Sequence, residues 1–82
     1  LLLMMDEPSW GLAPILTNAL FETIGRVNKT VGLTILLVEQ NVYKALLHAQ
    51  RGYVLERGAI TIQGTGEDLL ANDHLKAAYL GL

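Results

Sequence analysis

Cysteine is absent from this 82-residue chain, which excludes a disulfide framework and a thiolate metal site and is compatible with a reducing cytoplasm. Six lysine and arginine residues stand singly among eight acids, for a formal net charge of −2. No basic stripe results, so nucleic acid is not an expected partner. The longest apolar runs, Leu1 to Met5 and Ile35 to Val38, fall far short of the roughly 18 residues that cross a bilayer. No signal-peptide pattern is present either. No direct membrane span is expected, and membrane contact would go through a partner. Internal repeats and low-complexity linkers are missing too. So is any Gly-x-x-x-x-Gly-Lys-Ser/Thr loop, the backbone cradle and lysine that hold nucleotide phosphates.

What the chain does have is Leu2-Leu3-Met4-Met5 running into Asp6-Glu7-Pro8. A continuous apolar run of this length predicts a strand covered on both faces, as in a parallel sheet flanked by helices. Ligands of such sheets gather at the carboxyl ends of the strands, where Asp6 and Glu7 fall. Paired acids there suit phosphoryl chemistry: Asp6 to hold Mg²⁺, mostly through water, and Glu7 to orient or deprotonate the attacking water. Consecutive residues of a strand face opposite ways, which would separate the two roles. The alternative is an ordinary strand followed by an acidic turn, with Asp6 satisfied by backbone N–H groups.

Pro14 suits the first position of a helix. Ile15, Leu16, Ala19, Leu20, Ile24, Val27 and Val31 then recur at helical spacing up to Gly32, which ends it. Thr34 to Val38 predicts a second buried strand, parallel to the first and reached by a crossover helix. Val42 to Ala49 predicts a short helix with Asn41 before it. Tyr53 to Glu56 and Ala59 to Gln63 predict an antiparallel hairpin turning at Arg57-Gly58. Thr65 with Asp68 resembles a capping box, and Asn72 or Asp73 is placed to cap a last helix reaching Leu80. Phe21, Tyr53 and Tyr79 are expected in the core or half-buried. His48 and His74 have no second ligand at metal-binding spacing and are not expected to bind one.

Asp6-Glu7-Pro8-Ser9-Trp10-Gly11-Leu12-Ala13-Pro14 closely resembles the Walker B and D-loop segment of ABC-transporter ATPases. Ile35-Leu36-Leu37-Val38-Glu39-Gln40-Asn41 is similar to that family's next strand and switch loop, and Arg51 to Gly58 to its following hairpin. The closing pieces, Gly64 to Asn72 and Ala78-Tyr79-Leu80-Gly81, look most like the ATP-binding subunits of branched-chain amino-acid importers. The resemblance covers the whole chain. It implies the fold of the C-terminal part of a P-loop NTPase domain: α/β, parallel strands with crossover helices plus a small antiparallel hairpin. It implies ATP and Mg²⁺ as cofactors in the complete domain, Glu7 as the catalytic carboxylate, Asp6 as the metal residue, and Ser9 and Gly11 in the D-loop near nucleotide. It also implies a catalytic role for Gln40, which stands where most of the family carries a histidine on the γ-phosphate; its amide can donate to phosphate but takes up no proton, and the alternative is an amide that caps the next helix. Ala13 replaces the usual D-loop aspartate, so only a backbone role carries over there. Trp10 either helps a dimer interface or covers local apolar surface.

Counting glycine and omitting tyrosine, 47 of the 82 residues are apolar, above the usual half, so much of the surface is expected to need a neighbour. The chain also opens inside a strand. Residues 1–82 are therefore expected to be a C-terminal fragment of a single nucleotide-binding domain, inactive alone because the phosphate loop and signature motif are missing. The expected partners are a second ATP-binding subunit and membrane permease subunits, placing the protein peripherally at the cytoplasmic face of the membrane. The competing readings are an ABC ATPase of another transport or non-transport system, and a stand-alone α/β binding module in which Asp6 and Glu7 are ordinary loop acids.

Overall fold

The computed structural model describes residues 1–80; Gly81, the last residue of the closing motif, lies outside them. The chain forms two compact units, residues 1–41 and the residues from Val42 onward.

In the first unit strand β1 (Leu2–Asp6) pairs in parallel with β2 (Thr34–Val38), and helix α1 (Pro14–Val31) joins them, as parallel pairing requires. The register sets Leu2 against Thr34, Met4 against Leu36 and Asp6 against Val38. Helix α1 has the bounds that proline and glycine punctuation predicts: Pro14 opens it and Gly32 closes it at φ 73°. The Asn28 side chain donates to the Leu33 carbonyl at 2.7 Å, pinning the chain just past that C-terminus.

Two expectations hold only in part in this unit. Of the apolar positions expected along α1, Leu20, Ile24 and Val27 are half-buried, while Ile15, Leu16, Ala19 and Val31 are exposed; the buried residues are Thr17 and Phe21, with Asn28 half-buried. Apolar residues occupy more than one side of the helix, so spacing alone found part of the buried side and missed its threonine. Nor is β1 covered on both faces. Leu3 and Met5 share one side with the half-buried Ile35 and Leu37, whereas Leu2, Met4, Leu36 and Val38 are exposed on the other. The sheet has two strands among the described residues, and the one long helix of the unit covers one side at most.

The second unit opens with α2 (Val42–His48), followed by an antiparallel hairpin of β3 (Arg51–Glu56) and β4 (Ala59–Thr65). This hairpin is a two-stranded sheet of its own. Arg57 and Gly58 have φ of 53° and 79°, the two left-handed residues of a tight hairpin turn. A bulge interrupts the register between Val54 and Leu55. The extra residue, Thr61, donates to Glu56 Oε1 at 2.6 Å.

Helix α3 (Gly66–Leu70) is capped by Thr65, whose Oγ1 accepts from the Asp68 amide at 3.0 Å. Asn72, not Asp73, caps the short α4 (Asp73–Leu75) through the Leu75 amide. The chain then continues as a π-helical stretch, Lys76–Leu80. Leu46, Leu69 and Leu75 form the core, with Val42, Val54, Ile62 and Leu70 packed around it. Tyr53 and Tyr79 are about half-exposed, and Phe21 is the fully buried aromatic.

Candidate functional site

Because β1 and β2 are parallel and Asp6 is level with Val38, the residues leaving both strands emerge at one end of the sheet. Asp6 and Glu7 come from β1, and Glu39 and Gln40 from β2. The Glu7 amide donates to the Val38 carbonyl at 2.7 Å, carrying the ladder one residue past the last pair. That bond fixes the level at which the two carboxylates appear relative to Gln40. Asp6 and Gln40 are exposed; Glu7 and Ser9 are half-buried.

Glu7 has φ 46°, a left-handed backbone on a non-glycine residue. Strand alternation therefore stops at Asp6, and the opposite facing of Asp6 and Glu7 expected from a continuing strand does not extend to Glu7. Its direction is set by a turn. The Trp10 amide donates to the Glu7 carbonyl at 3.0 Å and the Leu12 amide to the Ser9 carbonyl at 3.0 Å, giving two successive turns before α1. Gly11 supplies the left-handed residue of the second, at φ 78°. Conformations like that of Glu7 cost about 1–3 kcal/mol and cluster at functional sites. Trp10 is 81% exposed, so it does not cover local apolar surface.

Sequence reasoning passed over Glu39. It lies in the switch-loop motif, yet no role was expected for it. Its Oε2 accepts from the Ser9 amide at 3.4 Å, and its Oε1 from the amides of Gln40 at 3.2 Å and Asn41 at 3.4 Å. The signal was available, since Glu39 follows the apolar run Ile35 to Val38 just as Asp6 follows Leu2 to Met5. Gly11 is placed in a turn. Among the described residues no three His, Cys, Asp or Glu side chains converge as a metal-holding group. A hard cation here would have one or two carboxylates and draw its other ligands from water and phosphate, the usual arrangement for Mg²⁺. No described helix is long and apolar enough to cross a membrane.

No family model matches the chain. Across 80 residues it is 50% identical to the high-affinity branched-chain amino acid transport ATP-binding protein BraG of Pseudomonas aeruginosa, covering 98% of this chain and 34% of that protein. It is 36% identical over 80 residues, with the same coverage, to a probable branched-chain amino acid transport ATP-binding protein, LivF, of Archaeoglobus fulgidus. The fold matches that of cbiO1 from Clostridium perfringens, described as part of the ABC transporter complex cbiONQ, at a TM-score of 0.79 and 20% identity, over 98% of this chain and 34% of the other. The architecture is thus the α/β fold of an ABC ATPase, in the portion these residues span. In sequence the chain is related to ABC-transporter ATP-binding proteins, and the relatives just named are those of branched-chain amino-acid transport. It spans about a third of the length of the curated relatives it matches.

Proposed function

We propose that residues 1–82 are the portion of a single nucleotide-binding domain that begins at the Walker B strand, in an ATP-binding subunit that hydrolyses ATP to drive branched-chain amino-acid import. The observation that carries this reading is the delivery of Asp6, Glu7 and Gln40 to one end of a parallel strand pair, the position where α/β sheets bind ligands. The 50% identity to BraG supports the cargo.

In that reading Glu7 accepts the proton of the attacking water or orients it for in-line attack on the γ-phosphate. Asp6 is the residue that would hold Mg²⁺, whose chemistry when bound is to neutralise charge on the phosphates. Gln40 donates its amide N–H to a γ-phosphate oxygen and exchanges no proton. Ser9 and Gly11 shape the loop that meets a second ATP-binding subunit. Permease subunits hold the assembly at the cytoplasmic face of the membrane. Phosphoryl transfer depends on positioning and charge stabilisation, and the phosphate loop is outside these 82 residues, so the chain by itself is inactive.

The test is Glu7→Gln in the natural protein that carries these residues. The turnover number is expected to fall about 10²–10⁴-fold, the usual worth of a general base, while ATP binding persists. Turnover within threefold of the unsubstituted protein would overturn the assignment of Glu7. Glu7-dependent hydrolysis by the isolated 82 residues would overturn the inactivity of the chain alone.

A further inference from the structure

We infer that Glu39 is a positioning residue that ties the turn after β1 to the loop after β2, so that the two halves of the site move as one. The inference rests on the functional reading above only for its catalytic consequence; the tie itself is geometric. Ser9 follows Pro8, which has no amide hydrogen, and the turn bonds use the amides of Trp10 and Leu12. The Ser9 amide is therefore left over by the local turns, and it is taken up by Glu39, thirty residues away, through Oε2. The other oxygen, Oε1, collects the amides of Gln40 and Asn41, the first two backbone donors past its own residue.

Each carboxylate oxygen thus serves a different loop. Only an acid can do this, because both oxygens must accept and neither may carry hydrogens. The half-buried position of Glu39 partly shelters the charge-assisted bonds from Ser9 and Asn41 from competing water, while the bond from Gln40 is exposed. At 3.2–3.4 Å they are long, so the tie is adjustable: contact of a ligand with Gln40 draws on the same carboxylate that holds Ser9. The functional site then has a fourth participant beside Asp6, Glu7 and Gln40, acting through backbone position and not through contact with the reacting atoms.

Two variants and two readouts test this in the natural protein that carries these residues. With Glu39→Ala, hydrogen exchange at the amides of Ser9, Gln40 and Asn41 is expected to speed up about tenfold, the scale of a lost charge-assisted bond. Glu39→Gln keeps one accepting oxygen, so it is expected to protect either Ser9 or the Gln40–Asn41 pair, not both. In steady-state hydrolysis Glu39→Ala is expected to lower kcat about tenfold with KM for ATP within twofold, a split that general destabilisation does not produce. Unchanged exchange at Ser9 in Glu39→Ala overturns the tie. Exchange that responds as described, with kcat unchanged in an enzyme that still depends on Glu7, overturns its catalytic consequence. The same exchange response in a protein that hydrolyses no ATP overturns the ATPase reading and leaves the tie standing.

Discussion

Gly66→Ala replaces a residue whose importance lies in space and not in backbone conformation. Gly66 opens α3 and is buried where its amide donates to the Gln50 carbonyl at 3.3 Å. A Cβ there would collide with the Ala49 carbonyl oxygen, lie 2.7 Å from the Leu46 carbonyl oxygen and 3.3 Å from the Ala49 carbonyl carbon. All three are backbone atoms at the end of α2, and none can rotate aside as a side-chain tip would. Relief requires α2 and α3 to separate, which loosens the Leu46–Leu69 contact of the core. Overpacking of this kind costs typically about 1–3 kcal/mol, and alanine's helix propensity recovers at most about 1 kcal/mol. A net loss of about 1–2 kcal/mol is a large share of the roughly 4–12 kcal/mol that stabilises a chain of this size. In urea, with a slope near 1 kcal/mol per molar, the midpoint should fall by about 1–2 M. Gly64→Ala is the control. Its Cβ would meet Asp68 and Leu69 side-chain atoms at 3.7 Å or beyond, ordinary contact, so it should move the midpoint little. A Gly66→Ala midpoint within about 0.3 M of the unsubstituted chain, or equal losses in both variants, would refute the steric argument.

The pH response of the second unit follows from Glu56. Its carboxylate accepts from Thr61 and from the Tyr79 hydroxyl, the latter at 2.7 Å; the Thr61 bond first and the Tyr79 bond second hold its pKa below the ordinary value, and the Glu56 bond pushes Tyr79 above its own. The depressed acid contributes stability above its unfolded pKa of about 4.3 and loses it as pH falls through the lower folded value, while the raised tyrosine contributes below about 10 and loses it as pH rises through the higher folded value. The melting-temperature difference between the unsubstituted chain and Tyr79→Phe should therefore be largest between those limits and shrink beyond both; a difference constant with pH would sink the idea. Gly32→Ala isolates backbone strain, since open space surrounds its missing Cβ and φ is 73°. It should destabilise by about 1–2 kcal/mol, the cost of a left-handed alanine, and Gly32→Asn by visibly less in the same urea titration.

The sequence displayed its punctuation better than its faces. Pro14 and Gly32 bound α1 because each has a backbone property that no neighbour overrides, and Thr65 and Asn72 cap because their short side chains reach the amides three residues on. The buried side of α1 was legible at Leu20, Phe21, Ile24 and Val27 but not at its ends, because Ile15, Leu16 and Val31 compete for the same stripe and only tertiary packing decides. That Asp6, Glu7 and Gln40 leave the strands at one end of the sheet was legible once the two apolar runs were taken as parallel neighbours. The left-handed turn at Glu7 and the bonds of Glu39 were not, because both depend on how one strand end sits against the other. The bulge that aims Thr61 at Glu56 escaped notice for the same reason: register between strands leaves no mark in either strand alone.

The exposed side of the parallel pair bears on the chemistry proposed for its end. Leu2, Met4, Leu36 and Val38 stand on that side, and by strand alternation Asp6 stands there too, last in the row. Parallel sheets in complete α/β domains are covered on both faces, so in the proposed nucleotide-binding domain this apolar row would be the floor of a packed layer and Asp6 its edge. An acid at such an edge has hydrocarbon on one side and the ligand crevice on the other. Charge interactions there are less screened than in open water, which strengthens the hold of a carboxylate on a cation beside it. The same apolar excess that marks the chain as needing a neighbour would thus serve the site: covering Leu2 and Met4 both stabilises the fold and dries one side of the residue proposed to hold Mg²⁺.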